Sequence, residues 1–225
     1  MEYLQRFIAE SNREFEALSD AVWKLNCSID NLHQEEKVKL DAYFPDDEEL
    51  QALRWRHEGY ILEQVIPKAL NYSLIVFVHI ELETRLMKLC NFLHDSQKLP
   101  VKALELEGQG VTKYLKYIES FFGTDINQID EIEDIRSLGQ LRNCIVHTNG
   151  FVNYSSNTGA LNQIISHGKY LTKDKKELRI GKDALIQLET TEDGERLEID
   201  FHYPFILCGY IRRFLESLVW SLGSD

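Results

Sequence analysis

An arginine, an asparagine and a histidine stand close together in Leu141-Arg142-Asn143-Cys144-Ile145-Val146-His147-Thr148-Asn149-Gly150. Their types suit chemistry at a phosphate ester. A guanidinium is always charged and binds two phosphate oxygens at once, so Arg142 suits charge developing on phosphorus better than a lysine would. An imidazole gives or takes a proton near neutral pH, which suits His147. Asn143 can orient that imidazole or bind phosphate. Behind the three residues, Ile132, Ile135, Leu138, Leu141 and Ile145 recur every three or four positions, the pattern of a helix that buries one face. Asn149-Gly150 is a natural left-handed stop, so the helix is expected over about Ile129 to Thr148, with Arg142 and His147 accessible in a cleft. At about 100° per residue, Asn143 and His147 lie roughly 40° apart and share a face, whereas Arg142 sits roughly 140° from His147. Arg142 must either wrap around the helix or act on a site shared with a second copy of the chain. The alternative is a surface arginine with a histidine that caps the helix. A similar pair, Arg196 and His202, falls in Arg196-Leu-Glu-Ile-Asp-Phe-His202, whose alternation reads as a strand, and is taken as coincidence.

Arg-x-x-x-x-His, with Asn after the Arg and at the end of a helix, resembles the motif of the HEPN superfamily. Leu82-Glu83-Thr84-Arg85-Leu86 is similar to the Leu-Glu-x-x-Leu pattern of an early helix in that family. The resemblance covers roughly residues 60–222. Many HEPN proteins are metal-independent ribonucleases of toxin–antitoxin, anti-phage and RNA-processing systems, in which two protomers bring their motifs into one cleft. The resemblance therefore implies an all-α core and an RNA substrate cut by attack of a 2'-hydroxyl on the adjacent phosphate. It also implies a homodimer whose second His serves a two-proton mechanism, and an antitoxin or nucleotidyltransferase-like protein as a possible partner. Arg142, Asn143 and His147 are then the catalytic candidates, with Glu83 or Glu81 as the acidic helix position. A non-catalytic HEPN-like module that binds RNA, a nucleotide or a protein is the alternative, and a purely structural helical protein comes third.

Net charge is −12, so a general attraction to nucleic acid is absent and any RNA contact needs a local basic patch. Residues 169–182 supply a candidate, with Lys173, Lys175, Lys176 and Arg179 as RNA contacts or as the solvated face of a hairpin. The other histidines, His33, His57, His79, His94, His167 and His202, have no ligand spacing such as His-x-x-x-His, and neither metal nor other cofactor is expected. No glycine-rich phosphate loop or paired-carboxylate signature points to another enzyme class. Cys27, Cys90, Cys144 and Cys208 stand alone, and no charged-then-apolar leader opens the chain, which fits a reducing cytoplasm. The longest apolar run, Leu74-Ile-Val-Phe-Val-His-Ile80, is short for a membrane span and reads as core, so no membrane partner is expected.

The elements that must position the motif are mainly helical. Leu4, Ile8, Phe15, Leu18, Val22, Leu25, Ile29 and Leu32 form the narrow seam of a long helix, which either makes a coiled coil or packs along the next helix. Phe44-Pro45 breaks it, and the acidic residues that follow suit a restart. A second helical stretch runs to about His94, kinked or interrupted at Pro67, with Asn71 to Leu93 apolar on most sides as the central helix. A third ends at Phe121-Phe122-Gly123. After Gly150 a polar loop gives no readable structure until about Glu177. Two or three short strands then alternate around Leu178 and Ile180, Leu185 to Leu188, and Leu197 to Phe201. A last helix opening at Pro204 buries Ile211, Phe214, Leu215, Leu218, Val219 and Leu222. The expected organisation is an N-terminal helical extension over residues 1–59 and an HEPN-like helical domain over 60–225, with a small β-hairpin before its C-terminal helix.

Overall fold

The computed structural model describes residues 2–167 and 184–223. It is mainly helical, with one two-stranded antiparallel hairpin before the C-terminal helix. Helix α1 spans Glu2–Tyr43, and α2 spans Glu48–Tyr60. Between them the chain turns at Pro45, and Asp47 caps α2 by accepting a hydrogen bond from the Leu50 N–H at 3.0 Å. Asp47→Ala should cost about 1 kcal/mol, the usual value of an N-cap, read as a lower denaturant midpoint at unchanged slope.

The break expected at Pro67 is a widening of the helix. Residues Ile61–Val65 form a π-helical turn, closed by the Ile66 N–H on the Ile61 carbonyl, and α3 then runs over Ile66–Gln97. Pro67 has no N–H to donate to Glu63, and its ring would press on that carbonyl in a regular helix. The extra residue in the turn relieves both problems. By length and composition the continuous stretch Glu48–Gln97 would suffice to cross a membrane. Its apolar half is instead the centre of the bundle: Ile75, Val78, Leu82, Leu86 and Leu89 are fully buried, and α3 is packed by α1 and by helices on its other sides. Arg85 is buried too, held by Glu81 at 2.9 Å and Glu14 at 3.4 Å.

Helix α4 covers Gly110–Phe122 and ends at Gly123 in the left-handed region, α5 covers Ile132–Thr148, and α6 covers Thr158–His167. Strands β1 (Ile186–Thr191) and β2 (Gly194–Ile199) pair with Leu188 opposite Leu197 and turn at Glu192-Asp193. Helix α7, His202–Leu222, closes the bundle. Pro204 lies within its first turn, where a missing N–H costs nothing.

Three expectations are corrected. The α1 seam packs mainly along α7, not the next helix, burying Phe7, Ser11, Phe15 and Val22 while Leu25 and Leu32 stay exposed. The motif helix starts at Ile132, because Asp125 caps a separate 3-10 turn at Ile126–Gln128 by accepting from the Asn127 N–H. The segment after Gly150 holds helix α6, whose Leu161 and Ile164 are buried. Thr158 anchors its start with hydrogen bonds to the Val152 and Ser155 carbonyls. The strand at Leu178 and Ile180 lies outside the described residues.

Candidate active site

Helix α5 buries Ile132, Ile135, Leu138, Leu141 and Ile145, the residues whose spacing defines its inner face. That orientation decides where the motif points. Arg142 and Asn143 line a cleft of about 470 Å³ between α3, α4 and α5, together with His79, Glu83, Gly110 and Arg136. His147, five positions on, is exposed in the last turn and does not line that cleft. A single chain therefore brings together Arg142, Asn143 and Glu83 and leaves His147 outside, correcting the expectation of one cleft holding both Arg142 and His147.

Arg142 is half-buried. Its Nη1 donates to Asn143 Oδ1 at 3.0 Å, its Nε is sealed from solvent without a partner, and no carboxylate pairs with it among the described residues. The Nε edge of this guanidinium is shielded while the side chain as a whole stays partly open to solvent, and an anion entering the cleft is a ligand that it could bind. Arg136, in the same wall, is already held by Glu133 at 2.5 Å and Asn127 at 2.6 Å.

The two acidic alternatives separate cleanly. Glu81 binds Arg85 on the other side of α3, whereas Glu83 faces the cleft. One turn before Glu83 is a residue that sequence reasoning set aside. His79 is only 8% exposed, its Nδ1 is sealed without a hydrogen bond, and Glu83 Oε2 lies 3.9 Å away, beyond hydrogen-bond reach. The signal was present as a histidine and a glutamate four residues apart, one helical turn, but it is hidden inside an apolar run that reads as core.

Burial, and then the nearby Arg142 charge, push His79 down from 6.5 to about 4. It is therefore a neutral imidazole at physiological pH, not half of an ion pair with Glu83. Because its folded value lies below its unfolded one, the unfolded chain takes up more protons between those two values. His79 thus contributes stability above pH 6.5 that is lost as pH falls toward 4, on the order of 3 kcal/mol in all. Urea titrations from pH 7 to 4 should show a shallower loss of stability in His79→Leu than in the wild type. Identical slopes would exclude the burial assigned to this ring.

The far end of α5 is fixed by its cap and by the hairpin. Asn149 (φ 53°) and Gly150 (φ 83°) are left-handed, and the Gly150 N–H reaches back to the Cys144 carbonyl. The Leu197 N–H of β2 then donates to the Gly150 carbonyl at 2.9 Å, and Arg196 Nε donates to the Asn149 carbonyl at 3.1 Å. Arg196 also lies over the rings of Tyr72 and Phe151, while His202 is bound to Asp200 at 2.7 Å. This pair serves the scaffold, but only Arg196 lies in the expected strand: β2 ends at Ile199, and His202 opens α7.

Lys173, Lys175, Lys176 and Arg179 lie outside the described residues. Among the described residues no group of three or more His, Cys, Asp or Glu side chains is placed to hold a metal ion. No protein-family model, curated protein or solved structure matches this chain.

Proposed function

We propose that the chain is an HEPN-type, metal-independent endoribonuclease that acts as a homodimer. The observation that carries the reading is the half-buried Arg142, lacking a carboxylate partner among the described residues, in a cleft beside Asn143 and Glu83. Such a guanidinium is suited to a phosphodiester and to the charge that grows on it during attack. Because His147 stands outside its own chain's cleft, a two-fold groove is the arrangement that brings it to the phosphate held by the partner. In this reading Arg142 binds phosphate, Asn143 supports it, Glu83 borders the sugar side, and His147 transfers a proton. The setting we infer is a toxin–antitoxin or anti-phage effector, restrained by an antitoxin or a nucleotidyltransferase-like protein.

The test is incubation with total cellular RNA in excess chelator. Attack by the 2'-hydroxyl leaves 2',3'-cyclic phosphate, or the derived 3'-phosphate, and 5'-hydroxyl ends. Cleavage that needs added magnesium, or that leaves 5'-phosphates, would refute the mechanism. The same location of His147 favours a second reading, a non-catalytic module that binds RNA, a nucleotide or a protein. RNA bound by an intact dimer and recovered uncut would select it.

A further inference from the structure

We infer that a second copy of this chain docks on an uncharged apolar face of α3 and α5, centred on Phe77 and Ile80. The inference rests on the ribonuclease reading for its need of a second copy, and adds the surface that joins the two. It starts from a departure on the central helix. Ser73, Phe77, Ile80 and Thr84 follow one another at steps of four and three residues, so they form one stripe of α3. Phe77 is 53% exposed and Ile80 49%, on a helix whose other faces hold the core.

The stripe continues onto α5, which runs antiparallel to α3 here. Tyr72 lies against Gly150 at the end of α5, while His79 feels the charge of Arg142 and lines the same cleft. Residues 72 to 79 of α3 thus pass residues 150 to 142 of α5. Val146, midway, falls level with the partly exposed Val76 and stands one turn beyond Arg142 on the same edge of α5. It is 46% exposed. Phe77, Ile80 and Val146, with Val76, therefore make an apolar patch next to the cleft.

Charge selects the occupant. A chain of net charge −12 repels its own copy, so two copies meet closely only where their surfaces carry no charge. The stripe from Ser73 to Thr84 carries none, and the carboxylates beside it are engaged elsewhere: Glu81 is tied to Arg85, and Glu83 lines the cleft. Other exposed apolar residues lack that setting. Leu50 and Leu53 of α2 stand among Glu48, Glu49, Arg54 and Arg56, and Leu32 of α1 is followed by Glu35 and Glu36. A strongly charged partner gains nothing from an uncharged face, whereas a second copy meets it with the identical face about a two-fold axis. An apolar centre that holds an aromatic ring within a polar rim is the ordinary build of such an interface. Because Val146 and His147 are adjacent, that axis sets both motifs at the edge of one interface.

Sedimentation of the full-length protein at micromolar concentration should show a dimer. Phe77→Glu puts a carboxylate at the centre of both halves and should weaken dimerisation by about 100-fold or more. Its circular dichroism should be unchanged, because the side chain is half exposed. Leu53→Glu, at a residue 60% exposed on α2, should leave the dimer intact. If Phe77→Glu does not fold, cross-linking decides. A short bismaleimide should capture a Phe77→Cys, Cys27→Ser chain as a covalent dimer, and should not capture a Leu53→Cys, Cys27→Ser chain. A monomeric wild type, a Phe77→Glu dimer as tight as the wild type, or capture at Leu53 alone would overturn the proposal. A dimer captured at Phe77 that cuts no RNA would support the surface and sink the ribonuclease reading. RNA cleavage at the wild-type rate by a folded, monomeric Phe77→Glu would keep the surface and exclude a site shared between copies.

Discussion

Arg142→Ala is expected to lower the RNA cleavage rate by about 10²–10³-fold, the usual loss when one donor to a developing oxyanion is removed. For His147→Ala the expected loss is about 10²–10⁴-fold, the range of a single proton-transfer group. Neither change should disturb folding, since Arg142 is half-buried with one side-chain hydrogen bond and His147 is exposed. Arg196→Ala and His202→Ala separate the motif from coincidence and should leave the chemistry unchanged, although Arg196→Ala loosens the hairpin. Mixing the two inactive variants asks the sharper question. If Arg142 of one protomer works with His147 of the other, a heterodimer of Arg142→Ala and His147→Ala chains contains one complete site. Random reassortment should then restore about a quarter of wild-type activity. A mixture as inactive as its components would place both groups in one chain, against the separation between the cleft and His147.

Periodicity makes the helices legible, because a buried face imposes the same spacing wherever it occurs. Ile132 through Ile145 identify the inner face of α5, and Asn149-Gly150 its end, from residue types alone. Boundaries fare worse where a polar side chain competes for the backbone. Asp125 diverts three residues into a 3-10 turn, and Asn157 with Gly159 disguises α6 as loop. The partner of the α1 seam is not local information. Whether Phe15 meets the next helix or the last depends on how the whole bundle closes. The same limit applies at the cleft. Helical angles place Asn143 near His147 and Arg142 away from it, yet the inner face of α5 turns Arg142 and Asn143 together toward α4. His79 is the plainest case. In sequence it is one polar residue in Leu74–Ile80, and only the approach of α4 and α5 gives that run a side that lines a cleft.

Gly150→Ala should be among the most destabilising single substitutions in the chain, by about 4 kcal/mol or more. Three costs meet at this position. Its φ of 83° is left-handed, which penalises a Cβ by about 1–2 kcal/mol. An added Cβ would stand 2.7 Å from Tyr72 Cζ and closer still to its hydroxyl. Overpacking of this kind costs about 1–3 kcal/mol. To relieve it, Tyr72 must swing away from the buried hydrogen bond that its hydroxyl donates to the Leu197 carbonyl at 2.6 Å. That acceptor is then left unpaired, for about 1–3 kcal/mol more. Leu197 is also the residue whose N–H holds the Gly150 carbonyl, so the clash separates β2 from the end of the motif helix. In a chain of this size about 4 kcal/mol lowers the midpoint of thermal unfolding by roughly 10 °C. Gly139→Ala is the matched control on the same helix. Nothing stands within 4 Å of its added Cβ, and an interior helical glycine gains about 0.5–1 kcal/mol on replacement by alanine. Opposite signs at these two glycines are the expected result. A Gly150→Ala protein that melts within 2 °C of the wild type would contradict the packing of Tyr72 beneath the helix end. It would also show that the bonds from β2 to the Asn149 and Gly150 carbonyls do not fix the end of α5.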